Sequence, residues 1–404
     1  MTQVFSLPFQ DRATHPLAGV TVLQLIPDLE TNATARAAID IAAALGAVGA
    51  RALVACAGGR MTGELQAKGG VFVPFPSHTK NPLAMALNTR RLAHLIAAES
   101  ADIVHVRSRA LAWVALGATR MTKTPLVTSF HSGCQGSNPI TMRYNSVLAR
   151  GDAVLADTRF MADLAGRLYA PAAEKTRVIH QGIDCRIFSP DTVTPDRVQA
   201  VRRHWKVAPH EQIVLLAAQT SHASGHKILI EAARLLSRSG LTGVKFILAC
   251  ERKEGALDRA IDRAIAREKL QGIMYRAPHS DTPAAYLTAS IVVVPAAGAQ
   301  ASNDAAVQAQ AMGTPVIAAN AGAAPETVLA PPVAEDSSRT GFLFKPGDGA
   351  ALAVAIANVL SLGASASGKL SSRARKHVET RFSTGQFCTG TLDAYVALRR
   401  GGEG

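Results

Sequence analysis

The 404 residues contain no cysteine pair at CxxC spacing. The five cysteines, Cys56, Cys134, Cys185, Cys250 and Cys388, therefore indicate neither a zinc site nor a dithiol redox motif, and their odd number fits a reducing compartment. The first residues lack the basic and apolar regions of a signal peptide. The most apolar long segment, 37–56, is interrupted by Asp40, Arg51 and glycines, so it reads as a buried helix followed by a strand rather than a membrane span. There is no helix-turn-helix, RNA-binding or zinc-finger pattern, which argues against nucleic acid as a partner. These absences point to a cytoplasmic, globular chain, with peripheral attachment to the inner membrane left open by its basic surface. Low-complexity runs are few, and 48 % of residues are hydrophobic.

The net charge is +13 and the pI near 9.9. Such a surface attracts something acidic: an anionic membrane surface or a phosphorylated ligand. Its arginines are scattered rather than blocked. The length suits two domains of ordinary size.

Short β-branched runs alternate with alanine-rich helical stretches. Strands are predicted at 20–26, 51–56, 102–106, 125–130, 153–157 and 176–179, with a helix over 34–45. After the proline-bearing segment 188–209, which carries Pro190, Pro195 and Pro209, a second series follows at 212–217, 244–249, 272–276, 290–294 and 314–318. That alternation predicts α/β architecture with two doubly wound, parallel-sheet, Rossmann-like domains. The domains are expected at 1–190 and 191–376, with 377–404 a terminal amphipathic helix. Ligands of such sheets sit beyond the carboxyl ends of the strands, so the loops after Leu25, Phe130, Ala217 and Pro295 should gather in a cleft between the two domains.

The motif content narrows this. The stretch Gln300-Ala-Ser-Asn303-Asp-Ala-Ala-Val-Gln308-Ala-Gln-Ala-Met-Gly313-Thr-Pro-Val keeps the frame of a known signature: Glu, seven residues, Glu, then Ala-x-Ala-x-Gly-x-Pro-Val. With Thr128-Ser-Phe-His131, Arg177-Val-Ile-His-Gln-Gly-Ile-Asp184 and Lys227-Ile-Leu-Ile-Glu-Ala, the chain resembles glycosyltransferase family 4 over almost its whole length. The resemblance implies a GT-B fold and retaining transfer of a hexose from a nucleotide sugar to a glycan or lipid acceptor, nearest to enzymes of lipopolysaccharide core and related bacterial envelope glycans. It implies no metal or other cofactor, and no Asp-x-Asp motif is present. By the same resemblance the terminal helix crosses back to the first domain.

The resemblance also assigns positions. His131 lies where relatives approach the transferred sugar, and Gln300 stands for the first glutamate of the signature; these are the candidate catalytic residues. Gln308, for the second glutamate, would face the ribose. Gln219 and Ser224 occupy the places of the arginine and lysine that hold the diphosphate, while His222 and His226 lie near enough to supply a cation when protonated. Asn303 replaces a glycine at the helix start, and Asn32 and Ala33 replace the paired glycines of the first domain. Glu326 is retained.

For several of these positions a plain structural role stands beside the ligand role. Gln300 and Gln308 would serve as well to cap and cover a helix, Glu326 to bond backbone at a helix start, and Gln219 and Ser224 as loop residues. Arg107 and Arg109 read as solvated arginines or as attraction for an acidic acceptor.

Charge builds on the departing diphosphate during transfer, so fixed cations or oriented N–H groups accelerate it. Losing one such contact slows a reaction by about a hundredfold to a thousandfold. Two functions follow: a transferase with a weakened donor site, or a GT-B scaffold that binds without turnover.

Overall fold

The computed structural model describes residues 15–79, 81–131, 138–169, 172–217, 225–249, 255–278, 281–296 and 304–401. It divides into two compact units: one runs to Gly182 and takes the chain back from Thr384, and the other spans Ile183–Ser383.

In the first unit seven strands form one sheet: β1 (Thr21–Leu25), β2 (Arg51–Cys56), β3 (Val71–Pro74), β4 (Ile103–Val106), β5 (Leu126–Phe130), β6 (Ala153–Ala156) and β7 (Thr176–Val178). Their order is β3-β2-β1-β4-β5-β6-β7, and every pairing is parallel. Helices cover both faces of such a sheet, so its central strands are apolar runs without alternation; β1, β4, β5 and β6 are buried at every position. The polar exception in β1, Gln24, is fully buried and donates to the Ala38 carbonyl at 2.9 Å. That carbonyl lies in the helix Ala33–Ala47, whose Ile39, Ile41 and Leu45 join the core.

The second unit holds β8 (Gln212–Ala217), β9 (Val244–Ala249), β10 (Met274–Ala277), β11 (Ile291–Val294), β12 (Val316–Ala319) and β13 (Phe342–Phe344), ordered β10-β9-β8-β11-β12-β13 and again all parallel. In each sheet the chain reverses its direction of travel beside the first strand, between β1 and β4 and between β8 and β11. Those switch points open a crevice at the carboxyl edge, where doubly wound folds take their ligands.

The terminal segment differs from one continuous helix over 377–404. Two helices, Ala364–Arg381 and Thr384–Gly401, are separated at Phe382 and Ser383. Phe382 is buried with Ile183, Val307, Ala311 and Val378, and Ser383 forms a bridge with Ile183. Burying that ring and pairing that backbone breaks the helix. The unit division accordingly falls at Gly182 and Thr384, where the sequence suggested 190 and 377. The helix Thr384–Gly401 contributes Phe387, Cys388, Leu392, Ala394 and Tyr395 to the first unit's core. Among the described residues no single helix is long and apolar enough to cross a membrane.

Gly225 fixes the second switch point. Its φ is +77°, and a Cβ there would lie 2.7–2.8 Å from Pro295, so the helix His226–Arg238 starts hard against the end of β11. Gly225→Ala meets both the left-handed backbone and that contact, and should destabilise the protein by about 2 kcal/mol or more. Chemical denaturation of the variant measures this, and an unchanged midpoint would refute the close approach.

Candidate functional site

The carboxyl edge of the first sheet carries a histidine-rich constellation. His131 follows β5 and Asp157 follows β6; these strands are neighbours in register, so the two side chains emerge side by side. His131 Nδ1 lies 3.6 Å from Asp157 Oδ2. The Asp157 carbonyl is 3.0 Å from His180 Nδ1, beyond β7. An imidazole set beside a carboxylate offers neighbouring donor and acceptor groups to a substrate hydroxyl.

Behind His131 lies a second, fully buried imidazole. His105 Nδ1 is 2.6 Å from the Tyr395 hydroxyl and Nε2 is 2.8 Å from Ser129 Oγ. Burial, and then the nearby Arg107 and His131, hold its pKa well below the usual histidine range, so it is neutral and structural.

Arg107 follows β4. The structure buries this residue (8 % exposed), contrary to its reading as a solvated arginine. Its guanidinium lies over the Phe387 ring at 5.7 Å, and its Nε and Nη2 have no hydrogen-bond acceptor among the described residues. A buried guanidinium with unfilled N–H groups is a strong anion ligand. Arg109, two residues on, donates to Asn145 Oδ1 at 3.2 Å.

On the same edge, beyond β1, Asn32 caps the helix Ala33–Ala47. Its Oδ1 accepts from the Ala35 N–H at 2.8 Å, and its Nδ2 donates to Asp28 Oδ1 at 2.9 Å. The Asn32 side chain is thus committed to the loop itself, which was not legible from its place in the motif. Ala33 is exposed at the first helical position.

In the second unit Gln219, Ser224, Gln300 and Asn303, with His222, lie outside the described residues. Gln308 is half-buried on the helix Asp304–Ala311, beside Gln310, which is fully buried and donates to the carbonyls of Ala306 and Thr327. Glu326 is half-buried on the short helix Ala324–Thr327, with its N–H on the Ala323 carbonyl. His226 does not supply a cation: it is buried, and burial together with Arg276 pushes its pKa down to about 4 against the opposing pull of Asp258. Among the described residues no group of three His, Cys, Asp or Glu side chains could hold a metal.

The glycosyltransferase family 4 profile matches residues 34–186, and that of glycosyl transferases group 1 matches residues 211–361. The chain belongs to the glycosyltransferases. This glycosyltransferase is 31 % identical over 242 residues to D-inositol 3-phosphate glycosyltransferase 1 of Catenulispora acidiphila, covering 55 % of the chain and 56 % of that relative. It is 24 % identical over 322 residues to a Mycobacterium tuberculosis glycogen synthase, covering 74 % and 70 %. The chain spans little more than half the length of the inositol-phosphate relatives it matches. Among solved structures, a glycosyltransferase of Rickettsia africae superposes with a TM-score of 0.83 at 26 % identity, covering 94 % of this chain and 98 % of that one. The Anabaena protein HepE, solved with UDP, shares the fold at a TM-score of 0.76 and 21 % identity, over 94 % and 100 %. The fold is therefore GT-B, in two parallel-sheet halves.

Of the side chains gathered on this edge, Asp157 was not singled out from the sequence. It closes a predicted strand and carries no motif of its own; only the β5–β6 register brings it to His131.

The buried histidines give the protein a pH dependence. His226 is neutral when folded and takes a proton near pH 6.5 when unfolded, so the unfolded chain binds more protons between pH 6.5 and about 4. Its stabilising contribution is complete above pH 6.5 and falls as pH drops towards 4, by up to about 3 kcal/mol. The thermal midpoint of the wild type should fall over that window, and His226→Gln should flatten the slope. An identical slope in both proteins would contradict the assignment.

Proposed function

We propose that this chain transfers a hexose from a nucleotide sugar, with retention, to a glycan or lipid acceptor of the bacterial envelope, using a donor pocket poor in fixed charge. The observation that carries the reading is His131 beside Asp157 at the carboxyl edge of a glycosyltransferase sheet, 3.6 Å apart. An imidazole so placed binds a sugar hydroxyl and follows the charge that develops at the reacting carbon. Arg107, buried on that same edge, supports an anionic substrate. Structures of HepE with UDP, with UDP and glucose, and with UDP-glucose support a nucleotide-sugar donor.

The electrostatic argument concerns the leaving group. Gln219 and Ser224 bring no permanent positive charge to a departing diphosphate. Gln300 and Gln308 keep amide hydrogen bonds but lack the anion that accepts two strong bonds from sugar hydroxyls. Transfer is accordingly slow and nucleotide affinity low. These replacements also favour a second reading: a scaffold on the same fold that binds a partner without turnover.

Calorimetric titration with UDP and GDP separates the two. Millimolar or tighter binding, with hexose transfer above the uncatalysed rate, supports the enzyme; silence toward both nucleotides supports the scaffold. Restoring charge in the combined variant Gln219→Arg, Ser224→Lys, Gln300→Glu and Gln308→Glu should tighten nucleotide binding at least about tenfold. A well-folded combined variant with unchanged affinity would show that these positions do not line the donor site. His131→Ala should lower turnover about a hundredfold with nucleotide affinity retained; undiminished turnover would remove His131 from the reaction.

A further inference from the structure

A polar cavity lies in the first unit, at the end of the strands away from His131. It has a volume of about 910 Å³. Its floor is the amino ends of β5, β6 and β7, where Leu126, Ala153 and Arg177 begin or stand near the start of their strands. One side is the last turn of the helix Arg109–Thr122 with its left-handed cap, Lys123 (φ 58°). The other is the returning helix Thr384–Gly401, which contributes the apolar side chains Ala394, Ala397 and Leu398.

Five cations line this cavity: Arg120, Lys123, Arg150, Lys175 and Arg177. Two acids, Asp152 and Glu174, also line it. Asp152 is already engaged, its Oδ2 accepting from the Leu126 N–H at 2.8 Å. None of the five cations forms a salt bridge with an acid among the described residues, although the protein pairs its basic groups at many other places. Arg150 is held in position instead by its stack over the Trp113 ring at 5.2 Å, while the Trp113 indole donates to the Tyr144 carbonyl.

Like charges around one concavity repel each other and raise the local concentration of anions. Arginine forks and lysine ammonium groups converging on one space match the oxygens of a phosphate group. The apolar wall beside them, with Ala394, Ala397 and Leu398, adds a surface for a non-polar appendage.

We propose that this cavity binds a phosphate-bearing anion at a site separate from the carboxyl-edge chemistry. The ligand is either a soluble phosphorylated compound or the headgroup of an anionic phospholipid; both present the same oxygens to the same cations. The proposal is independent of the transferase reading, because every residue it uses lies on the opposite edge of the sheet.

The test compares the intact wild-type chain with Lys123→Glu/Arg177→Glu and with a control of equal net charge, Arg203→Glu/Arg238→Glu, whose side chains are exposed in the second unit. The soluble probe is pyrophosphate, titrated by calorimetry. The membrane probe is vesicles of phosphatidylcholine with one third phosphatidylglycerol, read by co-sedimentation. Thermal melts verify that all three proteins fold. The cavity variant should lose at least about tenfold in affinity for one of the probes while the control keeps wild-type affinity, and binding should weaken with added salt. Loss toward pyrophosphate with no vesicle binding by the wild type identifies a soluble ligand, and loss toward vesicles, with or without loss toward pyrophosphate, identifies a lipid headgroup. Binding that both variants retain belongs elsewhere on the protein. Equal losses in the two variants, or no binding of either probe by the wild type, would overturn the proposal.

Discussion

Parallel pairing constrains everything else in this protein. In both sheets each strand lies between parallel neighbours or under helices, so backbone hydrogen bonds and apolar side chains fill the interior. A polar side chain inside must find a partner there, as Gln24 does on Ala38 and Gln310 does on Ala306 and Thr327. Other polar and charged side chains gather at the ends of the strands. The carboxyl edge of the first sheet therefore collects His131, Asp157, His180 and Arg107, from loops that follow four consecutive strands in the sheet order.

The returning helix ties that edge to the core. Tyr395 reaches His105, and His105 reaches Ser129 two residues before His131. Phe387 of the same helix lies under Arg107. The side chains that set the position of β4 and β5 thus depend on a helix distant in sequence. Disturbing that helix would move the edge without touching a residue on it. The neutral His105 is the centre of this arrangement: burial lowers its proton affinity, and its two ring nitrogens are both engaged.

The architecture was legible because buried parallel strands announce themselves. β2, β8 and β9 agree with their predicted limits to the residue, each an apolar run bounded by turn residues. β3 (Val71–Pro74) and β13 (Phe342–Phe344) were not anticipated; both are short edge strands, partly exposed, with too few residues for a period. The break at Phe382 was hidden because Ala364–Arg381 and Thr384–Gly401 are both helical in composition, and only the burial of one ring separates them. Site chemistry was harder to read. His131 was singled out through its motif and stands on the carboxyl edge, whereas the placing of Asp157 beside it depended on strand register and the surroundings of Arg107 on burial, neither of which a linear pattern displays. His226 shows the same limit in the other direction, since proximity suggested a cation and the buried surroundings make it neutral.

Where the positive charge sits changes how the basic composition should be understood. A net +13 invites the idea of a phosphate site beyond the carboxyl ends of the strands. On the described part of that edge in the first unit, the buried cation is Arg107, supported by an aromatic ring rather than an acid. Much of the unpaired charge in the unit lies at the opposite edge, on Arg120, Lys123, Arg150, Lys175 and Arg177. These side chains are exposed, so they carry little folding energy in themselves and cost little to keep. Their long-range field still acts on any anion that approaches. Net charge therefore does not measure the strength of the donor site in this chain: the sequence positions that would hold a diphosphate can be neutral while the protein as a whole remains strongly basic.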